Sequence, residues 1–165
     1  MSVNLRGLIA KLNAPTRSAV EAAAGICLSR TNYDIEIEHF LVKLMDVTDS
    51  DLAAIVKHFG LNRSRLADDL ARALDRLKTG NARTPSLSPS LVSMLSQAWL
   101  QGSVEFGAPR VRTGHCLLAM VSVPELSRMA HEMSHELSKI TPEVLKKDFL
   151  SITVATAEAT AELGS

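Results

Sequence analysis

The chain has 165 residues, a length that suits one compact domain able to bury a core without disulfides or metals. Lys plus Arg and Asp plus Glu number 18 each, so no overall field would attract nucleic acid or an anionic membrane. Hydrophobic residues make up 46% and aromatic residues 4%, which indicates a folded globule with a core built mainly from Ala and Leu. We therefore expect no nucleic-acid partner.

Cysteine content and the N-terminal sequence bear on the cellular compartment. Cys27 and Cys116 are the only cysteines, too few for a disulfide framework or a Cys-rich zinc site, which is typical of a reducing compartment. No apolar run approaches the roughly 20 residues needed to span a bilayer, and the first residues are charged at short intervals. The sequence predicts a cytoplasmic protein with no membrane partner.

Helical periodicity runs through nearly the whole chain, and no segment alternates as a convincing strand would. The segment from Leu5 to Leu12 has the spacing of a short amphipathic helix, which Asn13 ends. Further helices are predicted over residues 15–29, 38–45, 50–59, 62–78 and 88–104, with more towards the tail. The helix over 62–78 is expected to end at a left-handed cap on Gly80. The predicted fold class is all-α.

An internal duplication appears when the chain is shifted by 76 residues. The shift lays His39 on His115 and Ala22 on Ala98, and it predicts two pseudo-repeated four-helix units, at about 13–79 and 88–152, preceded by an extra N-terminal helix. Each histidine precedes an aliphatic run, so we interpret both as structural groups in the first turn of a buried helix. A catalytic pair of His115 with its neighbour Cys116 is disfavoured, because adjacent helical side chains point about 100° apart.

Several motifs carry a family resemblance. The segments "EHFLVKLM" and "GHCLLAMV" resemble the repeated units of the N-terminal domain of Clp/Hsp100 unfoldases. The segments "LNAPTRSAVEAAAGICLSR", "GNARTPSLSP" and "RVRTGH" resemble one branch of that family, the ClpV ATPases of bacterial type VI secretion. The resemblance covers about Leu5 to Phe149. Glu36 and Arg112 depart from it, because many relatives have a Thr helix cap at these positions.

The resemblance implies that the complete protein is a homohexameric AAA+ unfoldase and that this chain is its front domain, a monomer when isolated. Residues 1–153 would form the domain, and residues 154–165 would begin a flexible linker to the ATPase modules. The sequence contains no G-x-x-x-x-G-K-[ST] phosphate loop, so we expect no enzymatic activity in this chain. No cofactor is expected in this domain, and ATP and magnesium would bind only to the ATPase modules.

The resemblance also implies a partner, the N-terminal helix of the large type VI sheath subunit (VipB/TssC-like), bound in an apolar groove for disassembly of the contracted sheath. An amphipathic helix can dock its i, i+3, i+4, i+7 anchors in such a groove. The candidate groove residues lie on the extra first helix and at the start of the second repeat: Leu5, Leu8, Ile9, Leu12, Leu87, Leu91 and Leu95. The alternative is that both rows pack into the core. For Trp99 we expect core packing.

A rival interpretation comes from "HEMSH", which matches the H-E-x-x-H pattern of zinc metalloproteases. On a continuous helix His131 and His135 would share a face and could bind zinc, with Glu132 as general base. The longer form of the motif fails, because Ser138 and Thr141 stand where it needs Gly and His. We therefore expect a solvated polar turn and no bound metal.

Overall fold

The computed structural model describes residues 4–164, and most of them are helical, so the predicted all-α class is confirmed. The helices are α1 (Leu5–Ala10), α2 (Ala14–Ser29), α3 (Ile37–Leu44), α4 (Asp51–His58), α5 (Arg63–Asp75), α6 (Pro89–Phe106), α7 (Thr113–Ser122), α8 (Pro124–Met133), α9 (Pro142–Ile152) and α10 (Ala157–Leu163). A 3-10 turn spans His135–Lys139, and two short strands are β1 (Asp34–Ile35) and β2 (Ser86–Leu87). Within residues 4–164 no helix has the length and apolarity needed to cross a membrane.

The long helices α2 and α6 open the two repeats and begin in the same way. The Asn13 side chain accepts a hydrogen bond from the Thr16 amide at 3.1 Å, and the Ser88 hydroxyl accepts one from the Leu91 amide at 3.1 Å. Each helix also has proline in its first turn, where a missing N–H costs nothing. These caps fix the start of both helices, close to where the sequence predicts them.

Burial corrects the register of the duplication. The buried residues of α2 and α6 match at a shift of 75, so Ala23, not Ala22, is the equivalent of Ala98. Across α3 and α7 the shift is 76, as the two histidines require, because the connection after α6 is one residue longer. The left-handed Gly107, with φ of 61°, caps α6 at that connection.

Two short parallel pairings join the repeats crosswise. Ile35, which follows α2, pairs with Leu87, which precedes α6. Leu12, which precedes α2, forms a bridge with Val111, which follows α6. Each repeat therefore holds the segment that leads into the other. These pairings are too short to produce the alternating pattern that identifies a strand in sequence.

Both repeat histidines bond to the backbone of their own helix. The Glu36 amide donates to His39 Nδ1 at 2.9 Å, and the Arg112 amide donates to His115 Nδ1 at 3.0 Å. Both rings are buried, and burial lowers the pKa of each to about 4. Both histidines therefore occupy the first turn of a buried helix, as interpreted from the sequence.

The two helix ends that the sequence placed wrongly are α5 and the C-terminal segment. α5 ends at Asp75 rather than near 78, and Gly80 lies in the following loop with φ of 100°, where its amide bonds the Thr31 hydroxyl. The segment expected to be a flexible linker from residue 154 instead contains α10, whose Glu158 is buried. The described part of this segment therefore packs on the domain.

Candidate peptide-binding groove

An open groove of about 540 Å³ lies between α1 and the first half of α6. Its lining residues are Leu5, Leu87, Pro89, Val92, Ser93, Ser96 and Gln97. The apolar residues Leu5, Leu87 and Val92 offer surface to an apolar side chain, and the serine and glutamine side chains add hydrogen-bonding groups without charge. This composition suits a helical peptide that is apolar on one face.

The wall formed by α1 is fixed by its own buried side chains and by the bridge that follows it. Leu8 and Leu12 are 6% and 3% exposed, so they anchor α1 in the core. The Val111 amide donates to the Lys11 carbonyl at 2.7 Å, and the Asn13 amide donates to the Val111 carbonyl at 2.8 Å. A helix of six residues would not persist alone in water, so these contacts are what make α1 a wall.

Two arginines from other elements also bind the C-terminal end of α1. Arg110 Nη1 donates to the Ala10 carbonyl at 2.8 Å, and Arg17 Nη2 lies 3.5 Å from the Ile9 carbonyl. Unpaired carbonyls at a helix C-terminus carry partial negative charge, so guanidinium groups stabilise it. The end of α1 is therefore both capped and positively charged.

The structure separates the seven predicted groove residues. Four of them are buried in the core and cannot touch a docked peptide: Leu8, Leu12, Leu91 and Leu95. Ile9 is partly buried and packs against the core. Only Leu5 and Leu87 line the groove. The sequence therefore predicted the approximate location of an open groove. Most of the predicted groove residues, however, pack into the core, which was the alternative considered above.

The groove residues that sequence reasoning missed lie on the outer face of α6. Ser93 and Gln97 line the groove, and the same face continues one and two turns later to Leu100 and Val104, which are 52% and 70% exposed. No charged residue occurs between Pro89 and Val104. A solvent-facing helix stripe normally carries charges, so this uncharged run was the signal that could have identified the wall.

Trp99 contacts the residue that follows α1, and Cys116 is buried in the core. The Lys11 ammonium lies 5.0 Å from the centroid of the Trp99 ring, and the indole is partly buried against the core, as predicted. Cys116 is 1% exposed, and burial raises the pKa of its thiol well above the usual value. Cys116 therefore belongs to the core and takes no part in a surface site.

A buried ionic network holds the second repeat to the C-terminal helix. Arg112 Nε and Nη2 each donate to the Asp51 carboxylate at 2.8 Å, and Nη2 also donates to the Thr153 hydroxyl at 3.0 Å. Arg112 and Asp51 are 3% and 0% exposed. Neighbouring Glu158 accepts from the amides of Asp51 and Thr113 at 2.6 and 2.8 Å. Glu158 thus sits on the N-termini of α4 and α7, where a carboxylate is stabilised.

A second cavity, of about 430 Å³, lies next to this network between α10 and the start of α2. Its polar lining includes Asn13, Arg112 and Glu158, whose side chains already bond one another or the surrounding elements. Satisfied buried groups have little capacity left for a ligand. The groove beside α1 is therefore the better candidate for a binding site.

The zinc interpretation fails on backbone geometry. α8 ends at Met133, and Ser134 is extended with φ of −157°, so His131 and His135 do not share one helix. Both histidines are exposed. Among residues 4–164, no group of three or more His, Cys, Asp or Glu side chains is placed to hold a metal ion. The structure thus offers no support for a metalloprotease.

The sequence profile of the Clp repeat (R) N-terminal domain family matches residues 11–145 of the chain. The chain belongs to this family. The two crosswise-paired repeats described above are therefore two Clp repeats, and the predicted resemblance is confirmed.

Relatives place the chain close to the ClpV members of the family. It is 35% identical over 142 residues to the AAA+ ATPase ClpV1 of Pseudomonas aeruginosa, covering 86% of this chain. It is also similar to the solved N-domain of ClpV from Vibrio cholerae, with 33% identity, a TM-score of 0.83, and 96% and 94% of the two chains covered. A solved complex of a ClpV N-domain with a VipB peptide gives 32% identity, a TM-score of 0.80, and 96% coverage of both chains.

The curated relatives are much longer than this chain. It spans 16% of ClpV1, and 18% of a Yersinia enterocolitica ClpB chaperone to which it is 35% identical over 158 residues. The matched part of each relative is therefore one domain within a larger protein.

Proposed function

We propose that this chain is the substrate-recognition domain of a type VI secretion unfoldase, and that it binds an N-terminal helix of the large sheath subunit in the groove between α1 and α6. One observation carries the proposal. The groove has an uncharged, partly apolar lining, and the fold around it is similar to a ClpV N-domain that has been solved with a VipB peptide.

The shape and chemistry of the groove support a helical ligand. Leu5, Leu87 and Val92 can receive anchors spaced at i, i+3, i+4 and i+7, and the outer face of α6 continues the contact surface to Leu100 and Val104. Between Pro89 and Val104 the helix axis rises roughly 22 Å at 1.5 Å per residue, so the surface accommodates about four turns of peptide helix.

In this proposal the chain binds and does not catalyse. It delivers the contracted sheath to ATPase modules elsewhere in a hexameric protein, in the cytoplasm, and those modules use ATP and magnesium for unfolding. Several N-domains on one hexamer can bind repeated sheath subunits at the same time, so a modest affinity of each domain is enough for tight binding of the whole hexamer. A micromolar contact is worth only about 8 kcal/mol.

Overlapping peptides from the N-terminal region of the large sheath subunit, titrated into the chain by calorimetry, test the proposal. We expect one short helical segment to bind at about micromolar affinity and to change the emission of Trp99, the single tryptophan, which is on α6 and contacts Lys11 at the end of α1. A flat response to every peptide would contradict the proposed function. An unrelated apolar helical peptide is the control for nonspecific binding.

A further inference from the structure

The helices on the two sides of the groove, α1 and α6, differ in charge. If the proposed function holds, this difference indicates which side chains the bound peptide carries. α1 and its following residue carry Arg6 and Lys11 with no acidic residue, whereas α6 carries no charge until Glu105. Glu105 is itself paired with Lys146 at 3.2 Å. Neither Arg6 nor Lys11 is among the residues that line the groove, so α1 adds positive charge beside the uncharged lining, whereas α6 is neutral along the groove.

Other groups extend the positive charge along the α1 side. Arg17 and Arg110 meet the carbonyls at the C-terminal end of α1, as described above. Arg6 is exposed, and within residues 4–164 it has no ion pair or hydrogen bond from its side chain. Lys11 is held over the Trp99 ring, which leaves its ammonium with no carboxylate partner in the same range. Both cations have capacity for an external carboxylate.

Two acidic residues, Asp34 and Glu36, lie on the segment that pairs with the strand leading to Leu87. Asp34 pairs with Ser86 across the short sheet that leads to Leu87, and Glu36 follows it at the start of α3. Both are partly buried. Past Leu87 no acid lies on either wall, so a peptide that runs along α6 meets basic side chains on its α1 side only.

We infer that the partner is an amphipathic helix with acidic side chains along one flank, and that this flank faces α1 while the uncharged flank lies on α6. An acidic flank complements Arg6 and Lys11, and a charge placed on the α6 side would be desolvated without a partner. The two walls thereby set the rotation of the helix about its own axis as well as its binding strength.

The test uses the sheath peptide that binds in the titration above and the same peptide with its Asp and Glu residues replaced by Asn and Gln. The expected result is that Arg6→Glu weakens the acidic peptide about fivefold at low salt and leaves the neutral peptide unchanged. A salt concentration near 1 M should remove most of this difference. Arg128→Glu, on the exposed face of α8, changes net charge equally and should alter neither affinity.

A charge-swapped peptide with Lys in place of its acids sharpens the design. It should bind wild type weakly and recover affinity on the Arg6→Glu chain. Loss of affinity confined to the acidic peptide, with recovery by the swapped peptide, supports the inference. Equal binding of the acidic and neutral peptides, or a tight peptide with no acids, overturns it and leaves the proposed function standing. If no peptide binds at all, both are contradicted.

Discussion

α2 and α6 hold equivalent places in the two repeats, yet the extra helix α1 packs beside α6, and the outer face of α6 is uncharged. Val92 and Ser96 line the groove on α6, and at the shift of 75 their equivalents on α2 are the charged Arg17 and Glu21. The segment before α2 forms α1, whereas the segment before α6 is a loop that contains Gly80 and Pro85. The duplicated fold supplies two possible sites, and sequence differences at the surface equip only one.

The interiors of the repeats differ as well. His39 donates from Nε2 to the Asn32 side chain at 2.9 Å, whereas His115 Nε2 has no hydrogen-bond partner among the described residues. His115 instead packs against the rings of Phe106 and Phe149, with centroids 5.9 and 5.1 Å away, and these two rings also contact each other at 4.8 Å. Both histidines thus accept the same backbone hydrogen bond at Nδ1, although the rest of the ring has a polar neighbour in the first repeat and aromatic neighbours in the second.

The largest difference in stability between variants of the two repeats is expected at the N-cap residues of α3 and α7, Glu36 and Arg112. Arg112→Ala should lower the free energy of unfolding by about 3–5 kcal/mol, because it leaves the Asp51 carboxylate buried without its cation. The equivalent Glu36→Ala should cost about 1 kcal/mol, since Glu36 is only partly buried. Urea denaturation of both variants measures this. Equal losses would mean that the network around Arg112 adds nothing specific.

Acid should destabilise both repeats through their histidines. Each imidazole has a pKa near 4 in the folded chain and 6.5 as its ordinary value, so the unfolded chain binds more protons between these pH values. The stability is full above pH 6.5 and falls as pH drops to 4, by roughly 3 kcal/mol for each histidine.

Unfolding free energies measured from pH 7 to 4 on wild type, His39→Gln and His115→Gln check this expectation. Each variant should show a shallower fall than wild type, although each is less stable at pH 7. The pKa of Glu158 is raised by burial and by Asp51, which contributes the opposite slope, so only the difference between chains isolates an imidazole. Variant slopes equal to that of wild type would contradict the buried neutral rings.

The C-terminal helix has no helical counterpart in the first repeat, and its attachment can be broken separately. Glu158→Gln should cost about 1–3 kcal/mol, because charge-assisted bonds from Asn13 and Thr113 are weakened. Hydrogen exchange should then rise first at the amides of Ala157–Leu163. Unchanged exchange in α10 would show that Glu158 does not hold it.

A smaller effect, on binding rather than folding, distinguishes the surface of α1 from its buried side. Leu5→Asp should weaken the sheath peptide about tenfold and leave the melting temperature unchanged, because Leu5 is 43% exposed at the groove. Leu8→Asp is the matched control one turn later. It should unfold or strongly destabilise the domain, because Leu8 is 6% exposed. Normal binding by a folded Leu5→Asp chain would move the site away from α1.

The sequence predicts the helices, the duplication and the structural histidines because each has a local signal in spacing, caps or repeated residues. It does not separate Leu5 from Leu8 or Leu87 from Leu91. All four continue apolar helical patterns, and only the packing of α1 on α6 decides which side faces water. α10 was missed for a related reason. Its small residues resemble a linker, and its stability depends on Glu158 reaching three distant elements.

The most direct test of the groove is the amide spectrum of the ¹⁵N-labelled chain during titration with the binding sheath peptide. We predict the largest shift changes at Leu5, Val92, Ser96 and Leu100, which lie on the two walls and the adjoining face of α6. The equivalent residues on α2, Glu21 and Gly25, should remain unchanged. Saturable binding with shift changes centred on α2, or on the cavity beside α10, would contradict the assignment of the site to α1 and α6.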